Sequence, residues 1–136
     1  MARGKSAREF ALDLKRFGRV TRQQAEVIFR KIALELDYVV VLGTPVDTGR
    51  ARGNWYPSIG APSDTVDWES KGQAASIGRV TATVTSAKLG SVVWLTNNLP
   101  YILPLENGHS KQAPSGMVDL NLDRIAAKYG ARVVRG

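Results

Sequence analysis

Few side chains in this sequence have the chemistry to catalyse a reaction. Its single histidine, His109, is followed by Ser110, and Ser115 lies nearby. A nucleophilic serine needs a histidine base, a residue that orients the base and backbone donors for the oxyanion, and no glycine-rich elbow surrounds either serine. With one histidine and no cysteine, a structural zinc site is excluded. We interpret His109 as a turn residue beside Asn107-Gly108.

An acidic cluster is the second candidate. Asp64, Asp67 and Glu69 lie within one polar segment, and carboxylate oxygens are the ligands that hard divalent cations prefer. Such a cluster could bind a cation weakly, but a solvated acidic loop accounts for the same residues. We therefore expect no metal and no other cofactor.

Asp47-Thr48-Gly49 is the signature tripeptide of aspartic proteases, and Ile77-Gly78-Arg79 echoes their second motif. That chemistry needs two aspartates that share one proton across a dimer axis, held by a nearly all-β chain. Here Arg50 and Arg52 follow the tripeptide and would keep the aspartate ionised. We expect a turn in which Asp47 accepts backbone N–H bonds and Gly49 has a positive φ. The chain is then not an enzyme, and a dimeric aspartic protease is a distant alternative.

The charge of the 136-residue chain is concentrated at its two ends. Residues 1–31 hold nine basic and three acidic residues, residues 111–136 hold five and two, and the middle of the chain is slightly acidic. Basic ends indicate contact with a polyanion or an acidic protein surface. The basic residues that would face DNA or a protein partner are Arg3, Lys5, Arg8, Lys15, Arg16 and Arg19. A DNA-binding module is therefore one alternative, although the three tryptophans do not interleave with the arginines as in single-strand binding platforms.

The elements that must position these residues begin with two helices. A capping box at Ser6–Glu9 and apolar residues at helical spacing predict a basic N-terminal helix within residues 1–20, with Gly18 as its stop. A second capping box at Thr21–Gln24 opens a long helix that must end at Thr44-Pro45, because proline cannot continue it. The longest apolar run is too short to span a bilayer, so we expect no membrane contact.

The rest of the chain predicts an α+β fold in one domain, residues 1–136. Strands are expected near 53–59 and 91–96, and a C-terminal helix near 119–129. Residues 71–87 fit both a helix and a β-branched strand. The long N-terminal helical region would pack on a small mixed or antiparallel sheet. Residues 97–117 combine turn formers with bulky apolar residues and are interpreted as a turn-rich interaction arm.

Two segments together resemble a known family. "TPVDTGRARGNW" ends the long helix, and "TNNLPYILPLENGHSKQAPSGMV" follows about forty residues later. This pairing resembles the small neck and minor-tail proteins of long-tailed bacteriophages, the tail-completion or head–tail joining family. The first set of matching positions is Pro45, Val46, Asp47, Thr48, Gly49, Arg50, Asn54 and Trp55. The second is Asn97, Asn98, Pro100, Tyr101, Leu105, Glu106, Gly108, Ser110, Gln112, Ala113, Pro114, Gly116 and Met117.

The resemblance implies a structural virion protein without catalytic residues. It implies a homo-oligomeric ring, of six copies, that joins the tail tube and its terminator to the head connector and lets DNA pass without reading its sequence. Such a protein is located in the neck or tail of the virion and assembles in the host cytoplasm. The resemblance favours a helix for residues 71–87. Pro104 departs from the family pattern, which has a helix-compatible residue there, and this argues against a regular short helix.

The expected subunit interface follows from the arm. An exposed apolar cluster of this kind marks an interaction site, and its residues are Leu99, Tyr101, Ile102, Leu103, Leu105 and Glu106. The motif turn would lie beside it, with residues Asp47, Thr48, Gly49, Arg50 and Trp55. Glu106 and Arg50 or Arg52 are candidates for a pair that holds the two segments together, either within one subunit or across a subunit joint. The alternative is that the arm merely covers its own sheet.

Overall fold

The computed structural model describes residues 8–108 and 110–135. Its architecture is α+β with a C-terminal helix, which confirms the predicted fold class. The elements, in chain order, are β1 (Arg8–Ala11), a 3-10 turn (Leu14–Phe17), α1 (Arg22–Gly43), a second 3-10 turn (Arg52–Asn54), β2 (Tyr56–Ile59), α2 (Gln73–Thr85), β3 (Val93–Thr96), α3 (Ile102–Glu106), α4 (Val118–Tyr129) and β4 (Arg132–Arg135).

The long helix α1 begins and ends where the sequence predicts. The Thr21 hydroxyl accepts the N–H of Gln24, and the Gln24 side chain accepts the N–H of Thr21, so the capping box is complete. At the other end Thr44 is the C-cap and its N–H bonds to the carbonyl of Val41. Pro45 then prevents further helix. The Thr44 hydroxyl, fully buried, also accepts the indole N–H of Trp55 at 2.9 Å and so ties the end of α1 to the motif turn.

The predicted N-terminal helix is wrong. Residues 8–11 form strand β1, which pairs antiparallel with β4, and a 3-10 turn follows. The apolar spacing of this segment suits a helix locally, but pairing with the distant C-terminal strand supplies the hydrogen bonds instead. Gly18, with φ of +79°, does end the 3-10 turn. Ser6, the start of the predicted capping box, lies outside the described residues.

The strands β2 and β3 form a second two-stranded antiparallel sheet, with Tyr56 opposite Thr96 and Ile59 opposite Val93. Both strands lie within their predicted ranges. The ambiguous segment 71–87 is a helix, α2, which packs against α1 and against β2. Its β-branched residues are tolerated because Val80 and Val84 are fully buried on the face that packs.

The core lies where α1, the motif turn and the start of α4 meet. Its buried cluster consists of Val40, Val41, Trp55 and Met117. Partly buried apolar residues from α2, β3 and α3 pack around this cluster; they include Ile77, Leu95, Ile102 and Leu105. The two segments that carry the family resemblance therefore contribute side chains to one core.

Candidate functional site

The motif turn and the arm lie side by side at one surface. The Gln112 side chain bonds the backbone of Val46 twice: its Oε1 accepts the N–H at 2.8 Å, and its Nε2 donates to the carbonyl at 2.6 Å. The amide group thus pairs with Val46 as a neighbouring strand would. A groove of about 530 Å³ separates the two segments, and its lining consists of residues 45–51 together with Tyr101, Leu105, Ser110, Lys111 and Gln112.

The motif turn has the predicted shape but a different hydrogen-bond pattern. Gly49 has a φ of +85°, as expected. The Thr48 hydroxyl, and not the Asp47 carboxylate, accepts the N–H of Arg50 at 3.2 Å. The carbonyl of Gly49 accepts bonds from Gly53 and Gly72, which fixes the turn against the start of α2. The expectation that Asp47 accepts backbone bonds is therefore wrong, and its exposed side chain faces the rim of the groove.

The predicted pairing of Glu106 with Arg50 or Arg52 within one subunit is also wrong. Arg50 donates to the carbonyl of Trp68 at 2.7 Å, and its guanidinium lies 5.6 Å from the centre of that indole. Arg52 donates to the carbonyls of Leu42 and Thr44 at the end of α1. Cations at that end also suit the helix dipole. Both arginines thus fasten the motif turn to its own subunit.

Glu106 instead caps helix α4. Its Oε1 accepts the N–H groups of Met117 and Val118 at 2.9 and 2.8 Å, and its Oε2 accepts that of Asp119 at 2.9 Å. The N-cap residue of α4 makes no side-chain cap bond of its own. A carboxylate at this position satisfies three unpaired donors and suits the positive end of the helix. Glu106 is therefore a structural residue of the arm, and its place in the subunit interface stays a prediction.

Trp55 and Asn54 are likewise structural. Trp55 is 4% exposed and belongs to the core. The Asn54 amide donates to the carbonyls of Arg50, Asp67 and Ser70, and its oxygen accepts the N–H of Asp67. Asn54 thereby binds the loop after β2 to the motif turn. The Trp55 ring fills the space at the end of α1, where its indole N–H bonds to the Thr44 hydroxyl.

The apolar residues of the arm divide into two sets. Leu99 is 1% exposed, so its assignment to a subunit interface is wrong, and Ile102 and Leu105 pack against the core from the side. Tyr101 and Leu103 are 36% and 41% exposed. The alternation follows from the short helix α3, which turns one face to the core and the other to solvent. The arm covers its own core and also presents apolar side chains outward.

Pro104 does not prevent helix α3. It occupies the third position of the helix, Ile102–Glu106. The first N–H groups of a helix have no partner within it, so a proline there removes no hydrogen bond. The expectation that Pro104 disrupts a short helix is therefore wrong.

The structure describes only some of the basic residues of the N-terminal region. Arg3 and Lys5 lie outside the described residues, as does the side chain of Arg16. Arg8 binds Asp119 on α4 at 2.8 Å, whereas Lys15 and Arg19 are exposed. His109 also lies outside the described residues. Within residues 8–108 and 110–135, no group of three metal-ligating side chains occurs, and no helix combines the length and apolar character needed to cross a bilayer.

Asp37 is a residue that sequence reasoning missed. It lies in α1, is 6% exposed, and its Oδ2 has no hydrogen-bond partner among the residues that the structure describes. Burial raises the pKa of this carboxyl from 3.8 to about 8, because a low-polarity environment disfavours the charged form. Its position on the helix gave a signal: Asp37 lies seven residues after Arg30, two turns along the same face of α1. Arg30 on that face reaches the carbonyl of Ala87, just beyond α2.

Comparisons of the chain with protein-family models, with curated proteins and with solved structures gave no match.

Proposed function

We propose that the chain is a non-enzymatic structural subunit of the neck or tail of a long-tailed bacteriophage. In this role identical copies form a ring of six that joins the tail tube and its terminator to the head connector. The proposal rests on the resemblance of the two motif segments. The observation that carries it is that these segments, far apart in sequence, form one surface through the paired hydrogen bonds between Gln112 and Val46.

The composition of that surface supports an adhesive role. Val46, Tyr101 and Leu103 are 39%, 36% and 41% exposed, and they flank the groove or stand beside it. Apolar side chains that remain exposed on a fixed backbone are typical of protein–protein interfaces, where tyrosine is enriched. The backbone beneath them is held by Gln112 on one side and by Glu106 on the other. A neighbouring copy could therefore bind without first ordering the arm.

The proposed interface predicts a loss of assembly without a loss of folding. In the double variant Tyr101→Ser/Leu103→Ser, we expect a normal thermal unfolding curve, because neither side chain belongs to the buried core. We expect heads and tails that fail to unite when this variant replaces the parent in an infected host. Electron microscopy of the particles measures the fraction of joined virions, and analytical ultracentrifugation measures the association of the isolated protein.

The matched control is Val66→Ser, which removes an apolar side chain of similar exposure, 38%, from the loop after β2. This variant should give joined virions in parental numbers. The proposal fails if the double variant also gives joined virions in parental numbers while folding normally. A monomeric state of the isolated parent would not decide the question, because many ring subunits associate only on the growing particle.

DNA binding is a second candidate, favoured by the antiparallel pair of strands β1 and β4. The register Arg8↔Arg135 and Ala11↔Arg132 brings the two basic ends of the chain together. For a neck subunit that lines a DNA channel, we expect weak duplex binding that is lost with salt and does not distinguish sequences. Fluorescence anisotropy, recorded over a series of salt concentrations with two duplexes of unrelated sequence, measures both the salt dependence and the sequence preference. Strong preference for one duplex would favour a DNA-binding module instead.

A further inference from the structure

The hydrogen-bond phase of the β2–β3 sheet determines which backbone groups point outward. The N–H of Gly60 bonds to the carbonyl of Val92 at 2.9 Å. Because antiparallel pairs alternate between bonded and non-bonded, the pairs Ser58↔Trp94 and Tyr56↔Thr96 are also bonded. The pairs Ile59↔Val93 and Pro57↔Leu95 are not. The backbone groups of residues 57 and 59 on β2, and of residues 93 and 95 on β3, therefore point away from the sheet.

The two edges of this sheet differ. On the β2 edge, Pro57 has no N–H, so the edge lacks a donor in its middle and resists further pairing. On the β3 edge, Val93 and Leu95 each present an N–H and a carbonyl. None of these four groups has a hydrogen bond to any residue that the structure describes. Neither proline nor a charged residue occurs from Ser91 to Asn98, so this edge lacks the two kinds of side chain that commonly prevent an edge strand from pairing.

We propose that the outer edge of β3 pairs antiparallel with β3 of a second copy of this chain, about a two-fold axis at Trp94. In that register the outward-pointing backbone groups of one copy meet those of the other: Val93 faces Leu95 of the second copy, and Leu95 faces its Val93. All four outward groups of each strand are then satisfied, by four hydrogen bonds in total. A shift by one residue would leave them facing groups already bonded to β2.

The side chains of β3 suit this partner. Trp94 would lie opposite Trp94 of the second copy in a non-bonded pair, where side chains approach most closely and aromatic pairs are favourable. No like charges oppose each other, because the strand and its flanks carry none. Pairing would convert two isolated two-stranded sheets into one four-stranded sheet, and two-stranded sheets are marginal on their own. The self-complementary edge therefore favours a second copy over an unrelated peptide.

This contact is independent of the proposed neck function. It is a two-fold contact in which both copies use the same surface, whereas a ring is built from head-to-tail contacts between different surfaces. The arm with Tyr101 and Leu103 remains available in the pair, because its residues take no part in the β3 edge. Failure of one proposal leaves the other standing.

The test compares two proline variants that each remove one outward N–H and no bond between β2 and β3. Val93→Pro blocks the β3 edge, and Ile59→Pro, the matched control, alters the β2 edge that Pro57 already interrupts. Sedimentation equilibrium over a wide concentration range measures association. We expect the parent and Ile59→Pro to form dimers with the same affinity, and Val93→Pro to associate at least about tenfold more weakly, since two of four hydrogen bonds are lost. A parent that stays monomeric, or a Val93→Pro variant that dimerises as the parent does, overturns the proposal.

Hydrogen exchange of the parent gives a second, independent readout if Val93→Pro does not fold. The amides of Val93 and Leu95 should exchange rapidly at low protein concentration and slow down as dimers form. The amides of Ser58 and Trp94, bonded within the sheet, should be protected at every concentration. Slow exchange of the Val93 and Leu95 amides at the lowest concentration would mean that the edge is already closed within one chain, and the proposal would be wrong.

Discussion

Glu106→Ala should lower the free energy of unfolding by about 4 kcal/mol, because three backbone N–H groups lose a charged acceptor at once. Hydrogen bonds to a charged group are each worth roughly 1.5–3 kcal/mol, and Glu106 accepts those of Met117, Val118 and Asp119. All three donors belong to residues that are buried or half-buried, so water replaces the carboxylate poorly. The loss should appear as fraying of the first turn of α4 and as a lower urea midpoint.

Two further variants make this prediction specific. Glu106→Gln keeps one acceptor oxygen but places an amide donor against a backbone N–H, so we expect a loss between those of alanine and the parent. Glu69→Ala removes an exposed carboxylate whose side chain makes no hydrogen bond in the described structure, and it should change stability by less than about 0.5 kcal/mol. Equal urea midpoints for Glu106→Ala and Glu69→Ala would show that the carboxylate does not hold the helix.

Asp37→Asn should remove most of the pH dependence of stability between pH 4 and pH 8. Folding raises the pKa of Asp37 from 3.8 to about 8. Well below pH 3.8 the carboxyl is protonated in both the folded and the unfolded state, so its burial involves no charge. Between these values the unfolded chain loses its proton while the folded chain keeps it, so the free energy of unfolding falls as the pH rises, and it levels off above pH 8. The full loss is on the order of 5 kcal/mol.

Comparing the stability of the parent and of Asp37→Asn over pH separates the effect of Asp37 from the effects of other carboxyl groups. A backbone hydrogen bond from Leu89 lowers the pKa of Glu26, and a hydrogen bond from Lys128 lowers that of Glu35. Both of these lowered pKa values change stability in the direction opposite to Asp37, since they add stability above the ordinary carboxyl pKa. Urea unfolding of the parent and of Asp37→Asn from pH 4 to pH 9 gives the difference directly. A difference that stays constant with pH would show that Asp37 is ionised in the folded state.

The parts of the fold that could be predicted are those whose beginning and end are marked by nearby residues in the sequence. The long helix has a complete capping box and a terminal proline, and β3 lies between a glycine and an Asn-Asn turn. The strands β1 and β4 could not be predicted, because their hydrogen bonds come from opposite ends of the chain. The spacing of apolar residues before Gly18 suits a helix equally well, and a local pattern cannot reveal a partner more than a hundred residues away.

The candidate site, like the fold, could be predicted only in part. The arm and the motif turn were recognisable from composition and resemblance, and the groove between them is built from both. Sequence could not show that Glu106 reaches the start of α4 instead of an arginine, since a carboxylate suits either partner. It also could not show which apolar residues of the arm face inward. Ile102 packs against the core whereas its neighbour Leu103 is exposed, because one short helix turns one face inward and the other outward.

The pairing of β1 with β4 places the two ends of the described chain side by side. Arg8 stands directly opposite Arg135 in the antiparallel register, so a short flexible linker would suffice to join them. New ends could then be opened in the exposed segment 60–62, just beyond β2. A circularly permuted chain of this kind would keep every helix and strand intact, because neither cut nor linker falls within one.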